Sequence, residues 1–583
     1  NSAVFLSFQV ETFHFGRTVW KRYHPENRKT MDSRANRKHK LIFLTVNSSF
    51  SHSSLALPLL HSACRQEENW EWCRYDMILD SSVSTAVADL YELHGDLLAT
   101  DLYLFNRLTT LDVLQRYHAL DPQCRIVVGG PECLGNGATE LLQNHPWLDA
   151  VFRGEGEEIF RDYLQHFDTP APAGKIYPAS GNAVFQEWAG SPYPVQDPFF
   201  AADKPFVQME TSRGCPMGCF YCTSGGTCIR YRTREQVREE LQLLQAKGVK
   251  ELRLLDRTFN LPQDRAAALL RMFREEFPGL RFHLELHPQF LGEELRVELA
   301  KALPGQLHIE VGIQCLDQEV QNLSGRRSDT GKALDGLAFL CKQSAFETHA
   351  DLIAGLPGQS WQHILADTAA LMQVRVGEIQ LEVLKVLPGT PMREIAVKHG
   401  IKYSSATPYD VMMTDTMALD GIRQARDLSR LLDMTYNHKH LHPAVLTMQA
   451  ECPEFVPELL AFFHQSGGDA AAVWNLQKRF LFLQEFCRDH QLIQSLQALA
   501  LQWLLAGFPP GQGADTFSRK ADGIPEHAEL LEGSADCITA RETRFWQFPM
   551  PGKTYILAYN RAWVPNRPAA IWRIAGGTGQ NTD

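Results

Sequence analysis

Between Leu41 and Leu387 the chain alternates short apolar runs with longer amphipathic stretches, and it does so in two successive series. Strand-like runs separated by helix-like ones argue parallel sheets with helical crossovers. In the first series Leu41 to Val46, Tyr75 to Leu79, Leu97 to Phe105, Arg125 to Val128 and Leu148 to Phe152 read as strands, with helices at Leu55 to Arg65, Val83 to Leu93 and Leu111 to Leu120. This is a doubly wound α/β pattern, whose ligands sit at the carboxyl ends of the strands. Two strands there run into glycine turns, Gly129-Gly130-Pro131-Glu132 and Gly154-Glu155-Gly156-Glu157. Paired glycines allow a flat or bulky ligand close to the backbone.

The second series starts at Phe206 to Met209. It continues through Leu252 to Asp256, Phe282 to Leu286, Ile309 to Gln314, Asp351 to Gly358 and Glu378 to Leu387, with helix-like segments such as Arg234 to Lys247 and Gln263 to Glu276 between. This predicts a βα barrel, complete or partial. Just past its first strand, Cys215, Cys219 and Cys222 stand at C-x3-C-x2-C spacing. A four-iron four-sulfur cluster normally takes four thiolates, so three in one loop leave one iron open to a small molecule. Zinc sites usually close a tetrahedron with two C-x2-4-C pairs, and no second pair exists here. The cluster is the favoured reading; structural zinc and unligated thiols are the alternatives.

The remaining ten of the 13 cysteines are scattered without pairing pattern, as in a reducing cytoplasm. The chain of 583 residues is 44% hydrophobic, enough for several packed cores, yet no apolar run reaches the ~18 residues of a membrane span. A net charge of −11 gives no electrostatic case for nucleic acid. The first forty residues are basic, and Met31 precedes the first convincing strand, so residues 1–30 read as an upstream stretch with the true start at Met31, with a functional tail as the alternative.

The cysteine loop, with an aromatic residue before its third thiol, resembles the signature of the radical S-adenosylmethionine (SAM) superfamily, as does the run Asp351-Leu352-Ile353-Ala354-Gly355-Leu356-Pro357-Gly358. The first series and its glycine turns look like the cobalamin-binding domains that precede such barrels. The combination resembles proteins of that kind ending in a helical domain of unassigned function. Asn47 to Leu57 and Leu381 to Pro391 carry this narrower likeness. Many cobalamin domains place D-x-H-x-x-G after the first strand; here Asn47 to Ser54 has no aspartate, and His52 is displaced. The resemblance therefore implies cobalamin without that histidine ligand, or a domain that has lost the cofactor.

The resemblance implies that Cys215, Cys219 and Cys222 hold the cluster and that SAM chelates the open iron. Tyr221 would lie along the adenine, Asp256 near the amino group, Glu285 and Gln314 at ribose or carboxylate, and Ile353 to Gly355 against the adenine. Asp256 departs from the Gly-Gly-Glu common at that turn. Asn47, Ser49, Asn106, Gly129, Gly130 and Glu155 would face cobalamin. One-electron reduction would release a 5′-deoxyadenosyl radical. With cobalamin, methylation of an unactivated centre of a small molecule is the leading outcome. An external donor such as flavodoxin or ferredoxin would supply electrons, and the protein would be cytoplasmic. Two alternatives stand beside it: a cobalamin-free docking domain on a non-methylating enzyme, and a non-catalytic iron–sulfur sensor.

The organisation expected is a basic extension over 1–39, a cobalamin-binding-like domain over 40–165, a linker over 166–205, a radical SAM barrel over 206–418, helices over 419–505, and a linker and tail over 506–583 that includes a strand-like run at Thr554 to Tyr559. Arg257 and Arg326-Arg327 read as anion grips or, more plainly, as surface or structural pairs. Cys228, six residues past Cys222, can sit near the site, with a small buried hydrophobe as the default reading, and Cys315 reads as a thiol that can face the barrel. His438, His440 and His442 read as exposed or locally bonded rather than metal-binding.

Overall fold

A computed structural model describes residues 37–169, 174–188, 190–194, 199–200, 204–508, 517–533, 543–550, 553–559 and 568–575. Residues 1–36 of the basic extension and the tail after Ala575 lie outside the described residues. The chain divides into two compact units. The first comprises residues 1–309, 321–327 and 384–414; the second comprises 310–320, 328–383 and 415–583.

In the first unit, β1 (His39–Asn47) is buried along nearly its whole length. Apolar side chains in both alternating rows suit a strand covered by helices on both faces. It is flanked by β2 (Trp70–Ile78) and β3 (Leu97–Asp101), and the sheet continues through β4 (Arg125–Gly129), β5 (Ala150–Phe152) and β6 (Lys175–Tyr177) in the order β2-β1-β3-β4-β5-β6. Every pairing is parallel. One face packs Ile42, Leu44, Leu98, Ile126 and Val128 under helices Val83–Leu93 and Arg107–Leu120; the other packs Leu41, Phe43, Ala99, Val127 and Phe152. The order reverses between β1 and β3, so the crevice at their carboxyl ends is the topological switch point. The sheet does not close at Phe152: Lys175–Tyr177, inside the stretch read as a linker, adds a sixth strand beside β5.

The same unit contains β7 (Val207–Met209), β8 (Ser212–Arg213), β9 (Arg230–Tyr231), β10 (Glu251–Leu254) and β11 (Arg281–Leu286). Strands β7, β10 and β11 pair in parallel, and β12 (Leu307–Gln314) begins here and ends in the second unit. The helix Arg234–Ala246 starts with a capping box between Thr233 and Gln236, which satisfies two otherwise orphan backbone donors. Residues 384–414, with β15 (Lys402–Tyr403) and β16 (Val411–Met413), pack on the first sheet's loops. There Tyr409 donates to Glu132 at 2.8 Å and Arg393 pairs with Glu140 at 3.0 Å.

In the second unit, β13 (Glu347–Ala354) and β14 (Glu378–Val383) run parallel. Five helices follow: Leu419–Met434, His442–Glu451, Phe455–Gln465, Leu476–Asp489 and Ile493–Leu505. The stretch 506–583 is more than linker and tail, and the strand-like run at Thr554 to Tyr559 is indeed a strand. It holds an antiparallel sheet of β17 (Arg519–Ala521), β18 (Glu529–Gly533), β19 (Arg544–Met550), β20 (Lys553–Tyr559) and β21 (Ala570–Ala575), in the order β17-β19-β20-β21-β18. Ile556, Ala558, Ala570 and Trp572 form its core. No described helix is long and apolar enough to cross a membrane.

Candidate active site

The cysteine loop closes on itself through backbone bonds. The Thr227 N–H donates to the Cys215 carbonyl at 2.8 Å, the Gly226 N–H to Met217 at 2.7 Å and the Cys222 N–H to Cys219 at 3.2 Å. Cys215 and Cys219 are buried and Cys222 half-buried, in a cluster with Met217, Tyr221 and Phe290. Each sulfur has its own polar neighbour. The Thr258 hydroxyl lies 3.3 Å from Cys215 Sγ, an Arg326 N–H donates to Cys219 Sγ at 3.7 Å, and the Ser224 N–H donates to Cys222 Sγ at 3.4 Å. Hydrogen bonds to ligating sulfurs are a main lever on a cluster's potential. Burial and the neighbouring thiols push the Cys215 thiol up, against the Thr258 bond.

Cys219 and Cys222 act electrostatically on Cys215, so the three sulfurs are neighbours. A hydrogen-bonding group beside each of them suits thiolates that share a four-iron cluster.

Of the readings open for Arg326 (anion grip, solvated surface or structural pairing), the structure shows pairing: it is buried against this loop. Burial opposes its charge, but Tyr221 and Cys219 outweigh burial and raise its pKa. Tyr221 lies in the same pocket, its hydroxyl's pKa pushed up by burial and by Cys219 and Cys222 against Arg326. Asp256 is fully buried and fully used: it accepts from the Thr211 N–H at 2.7 Å and from the Thr211 and Ser212 hydroxyls at 2.5 Å. This braces the strand that leads into the cysteine loop. Glu285 pairs with Arg257 at 3.4 Å.

Gln314, Ile353 and Gly355 belong to the second unit. Gln314 ends β12 with φ of 68°, an uncommon backbone state for a residue other than glycine and one often found at functional positions. Gln359, which the sequence reading missed, braces the turn after β13: its Oε1 accepts from the Gly355 N–H at 2.8 Å and its Nε2 donates to the Ile353 carbonyl at 2.9 Å. Cys315 does not stand open: its buried thiol bonds to Asp367 on the helix Trp361–Gln373. His442 bonds to the Tyr436 carbonyl at 2.8 Å, and the His438 and His440 rings lie 5.8 Å apart.

At the carboxyl ends of β3, β4 and β5 a cavity of about 750 Å³ opens, within the range of small-molecule and cofactor sites. Gly129, Gly130 and Glu155 line it; Asn47, Ser49, Asn106 and His52 do not. The Asn106 amide is consumed by the backbone, donating to Val46 and Asp101 carbonyls at 3.2 Å and accepting from the Tyr103 N–H at 2.8 Å. His52 bonds locally, its Nδ1 2.9 Å from the Ser49 hydroxyl. A Cβ at Gly130 would meet the Leu102 carbonyl oxygen at 2.7 Å, and one at Gly154 the Ala183 backbone at 2.4 Å. Both have positive φ. The chain's own packing therefore demands these glycines, whatever ligand approaches.

Asp101 is the cavity wall's distinctive polar group. It is buried at the switch point, with one oxygen accepting from the Ser54 hydroxyl at 2.7 Å and the other, Oδ1, without a hydrogen-bond partner among the described residues. Burial pushes its pKa up to about 6. A buried, unpaired carboxyl oxygen in a large cavity fits a ligand carrying N–H or O–H groups. The far wall comes from the cysteine loop and its neighbours: Thr223, Ser224, Thr227, Cys228, Arg230 and Arg257. Arg230 pairs with Glu155 at 2.6 Å. Cys228 is not the buried hydrophobe of the default reading: it is exposed and lines this cavity, as the alternative reading had it.

These features define a radical SAM domain, and residues 209–370 match the model of the Radical SAM superfamily. Residues 397–504 match a second model, a protein of unknown function (DUF4080). The chain is 25% identical over 346 residues to an uncharacterized methyltransferase, PH0819, of Pyrococcus horikoshii, covering 55% of this chain and 73% of that protein. It is 24% identical over 449 residues to TokK, a cobalamin-dependent radical SAM methyltransferase of Streptomyces tokunonensis, covering 67% of this chain and 63% of TokK. Among solved structures it shares the fold of the cobalamin-dependent S-adenosylmethionine radical enzyme OxsB with aqua-cobalamin and S-adenosylmethionine bound. That match has a TM-score of 0.53 at 12% identity, over 80% of this chain and 79% of OxsB. The radical SAM domain marks this chain as an enzyme, and the sensor alternative falls.

Proposed function

We propose that this chain is a cobalamin-dependent radical SAM methyltransferase acting on an unactivated centre of a small molecule. The observation that carries this reading is the shared cavity: one wall is the switch-point end of a doubly wound sheet, and the other is the loop bearing Cys215, Cys219 and Cys222. When bound, the reduced cluster supplies the electron that cleaves SAM, and the corrin supplies a carrier for the methyl group. The matched methyltransferases support methyl transfer over other radical chemistry.

The chain's own residues hold and orient. Cys215, Cys219 and Cys222 anchor the cluster, while Thr258, Arg326 and the Ser224 N–H stabilise the charge on the three sulfurs. Gly129, Gly130 and Asp101 floor the corrin site, and the Glu155–Arg230 pair closes its rim. For SAM, Tyr221, Glu285, Gln314, Ile353 and Gly355 are the contacts we assign; Asp256 acts by bracing, since its oxygens are occupied. An external one-electron donor of flavodoxin or ferredoxin type and a cytoplasmic setting complete the proposal.

The test is anaerobic purification with cobalamin supplied, reading iron, sulfide and the corrin absorption bands. Stoichiometric cobalamin beside a four-iron cluster is expected. A full cluster with no retained corrin would reduce the first sheet to a docking domain and overturn the methyltransferase reading.

A further inference from the structure

His287 stands just past the carboxyl end of β11, at the level where barrels of this kind present their chemistry. Its backbone is held on both sides by one fully buried side chain. Asn260 Oδ1 accepts from the His287 N–H at 2.9 Å, and Asn260 Nδ2 donates at 2.8 Å to the carbonyls of His287 and Phe290. The imidazole so fixed is only 5% exposed. Neither of its ring nitrogens has a hydrogen-bond partner among the described residues.

That is an unusual state for a histidine with only a packing role. A neutral imidazole has one donor and one acceptor, and leaving both unmade in a buried site is unfavourable unless something else pairs with them. The surroundings point to the cysteine loop. The His287 ring lies 4.9 Å from the ring of Phe290, which packs against Cys215, Met217 and Cys219. Arg326, donor to Cys219 Sγ, acts on the imidazole with its charge. Burial, and then that charge, hold the ring neutral with a pKa of about 3, so its lone pair is free.

Imidazole is a common metal ligand, and histidine replaces cysteine on iron in some iron–sulfur centres. We propose that, in the protein without SAM, His287 coordinates through a ring nitrogen the iron of the cluster that Cys215, Cys219 and Cys222 leave open. This rests on the assignment of the cluster to those three thiols. The step is ligand exchange with no change in electron count: the iron–nitrogen bond forms as the site loads, and it breaks when SAM's amino and carboxylate groups take that iron. Asn260 is a positioning residue, since it touches His287 only through the backbone.

The experiment uses the full chain, anaerobically reconstituted with iron and sulfide, reduced, free of SAM, and carrying nitrogen-15 histidine. Pulsed electron paramagnetic resonance should show a nitrogen coupling to the reduced cluster that changes with the label. His287→Ala, with iron and sulfide contents retained, should lose it. Absence of a label-dependent coupling in the unaltered protein overturns the proposal, and that result does not depend on the variant folding. A coupling that persists in His287→Ala, or that appears only once SAM is added, overturns it too. Failure to assemble four irons and four sulfides at all would instead overturn the cluster assignment, and the metal analysis tells the two apart.

Discussion

The two families of parallel strands differ in how they distribute polarity. In the first sheet, β1 and β3 are buried in both rows and mainly apolar, with polar groups gathered toward the carboxyl ends at Thr45, Asn47, Thr100 and Asp101, and every side chain from Leu41 to Val46 is buried. In β10, β11, β13 and β14, buried apolar residues alternate with polar ones: Leu252 and Leu254 against Arg253; Phe282, Leu284 and Leu286 against His283 and Glu285; Leu352 against Asp351; Ile379 and Leu381 against Gln380 and Glu382. A sheet with helices on both faces must be apolar in both rows. A barrel strand has one row under helices and another free for chemistry. The first sheet therefore serves its ligand only from strand ends, through Asp101 and Gly129, whereas the second set offers groups along the strands themselves.

The largest effect should come from the loop that joins both regions. Changing Cys215, Cys219 and Cys222 together to Ala should abolish iron and sulfide binding and SAM cleavage, read by metal analysis and product chromatography; a retained full cluster would refute the assignment. The comparison itself is tested by a pair of variants. Leu44→Ala, in a row buried on the first sheet, should destabilise by about 2–5 kcal/mol in denaturant unfolding, while Glu285→Gln in the polar row of β11 should lie within about 1 kcal/mol of the parent yet weaken SAM binding. Equal stability losses would erase the distinction.

A smaller, pH-dependent effect should come from His349 in β13. Burial lowers its pKa, but the hydrogen bond and charge of Asp351, 2.9 Å away, with Glu310 and Glu378, outweigh this and hold it at about 9. Because the folded pKa exceeds the ordinary 6.5, the stabilisation is complete below about pH 6.5 and is lost as pH rises through about 9, by at most about 3 kcal/mol. His349→Gln should flatten that decline in urea midpoints measured across this range. A parent protein whose midpoint rises with pH there would contradict the pairing.

Local patterns made much of this visible. The cysteine spacing, both strand–helix series and the helices after Ala418 are written in short-range periodicity. What escaped notice depends on distant partners. Arg326 reaches Cys219 across 107 positions, and nothing near Arg326 in sequence distinguishes it from a surface arginine. His287 is distinguished by ring nitrogens that have no hydrogen-bond partner among the described residues, which no local pattern encodes. The strands at Lys175–Tyr177 and Arg519–Ala521 are too short to show a period of two, so composition read them as linker. Asn106 shows the converse: the resemblance implied a cobalamin contact, yet its amide is bound by the backbone of its own turn and of β1.

The account's central claim is that cluster and corrin face one cavity. The most direct measurement is electron paramagnetic resonance of the full chain carrying both cofactors, each in its paramagnetic state, compared with samples carrying either one alone. The shared cavity predicts magnetic interaction, with each signal broadened or split relative to its separate spectrum. A spectrum that is the simple sum of the two would place the cofactors apart and contradict the claim.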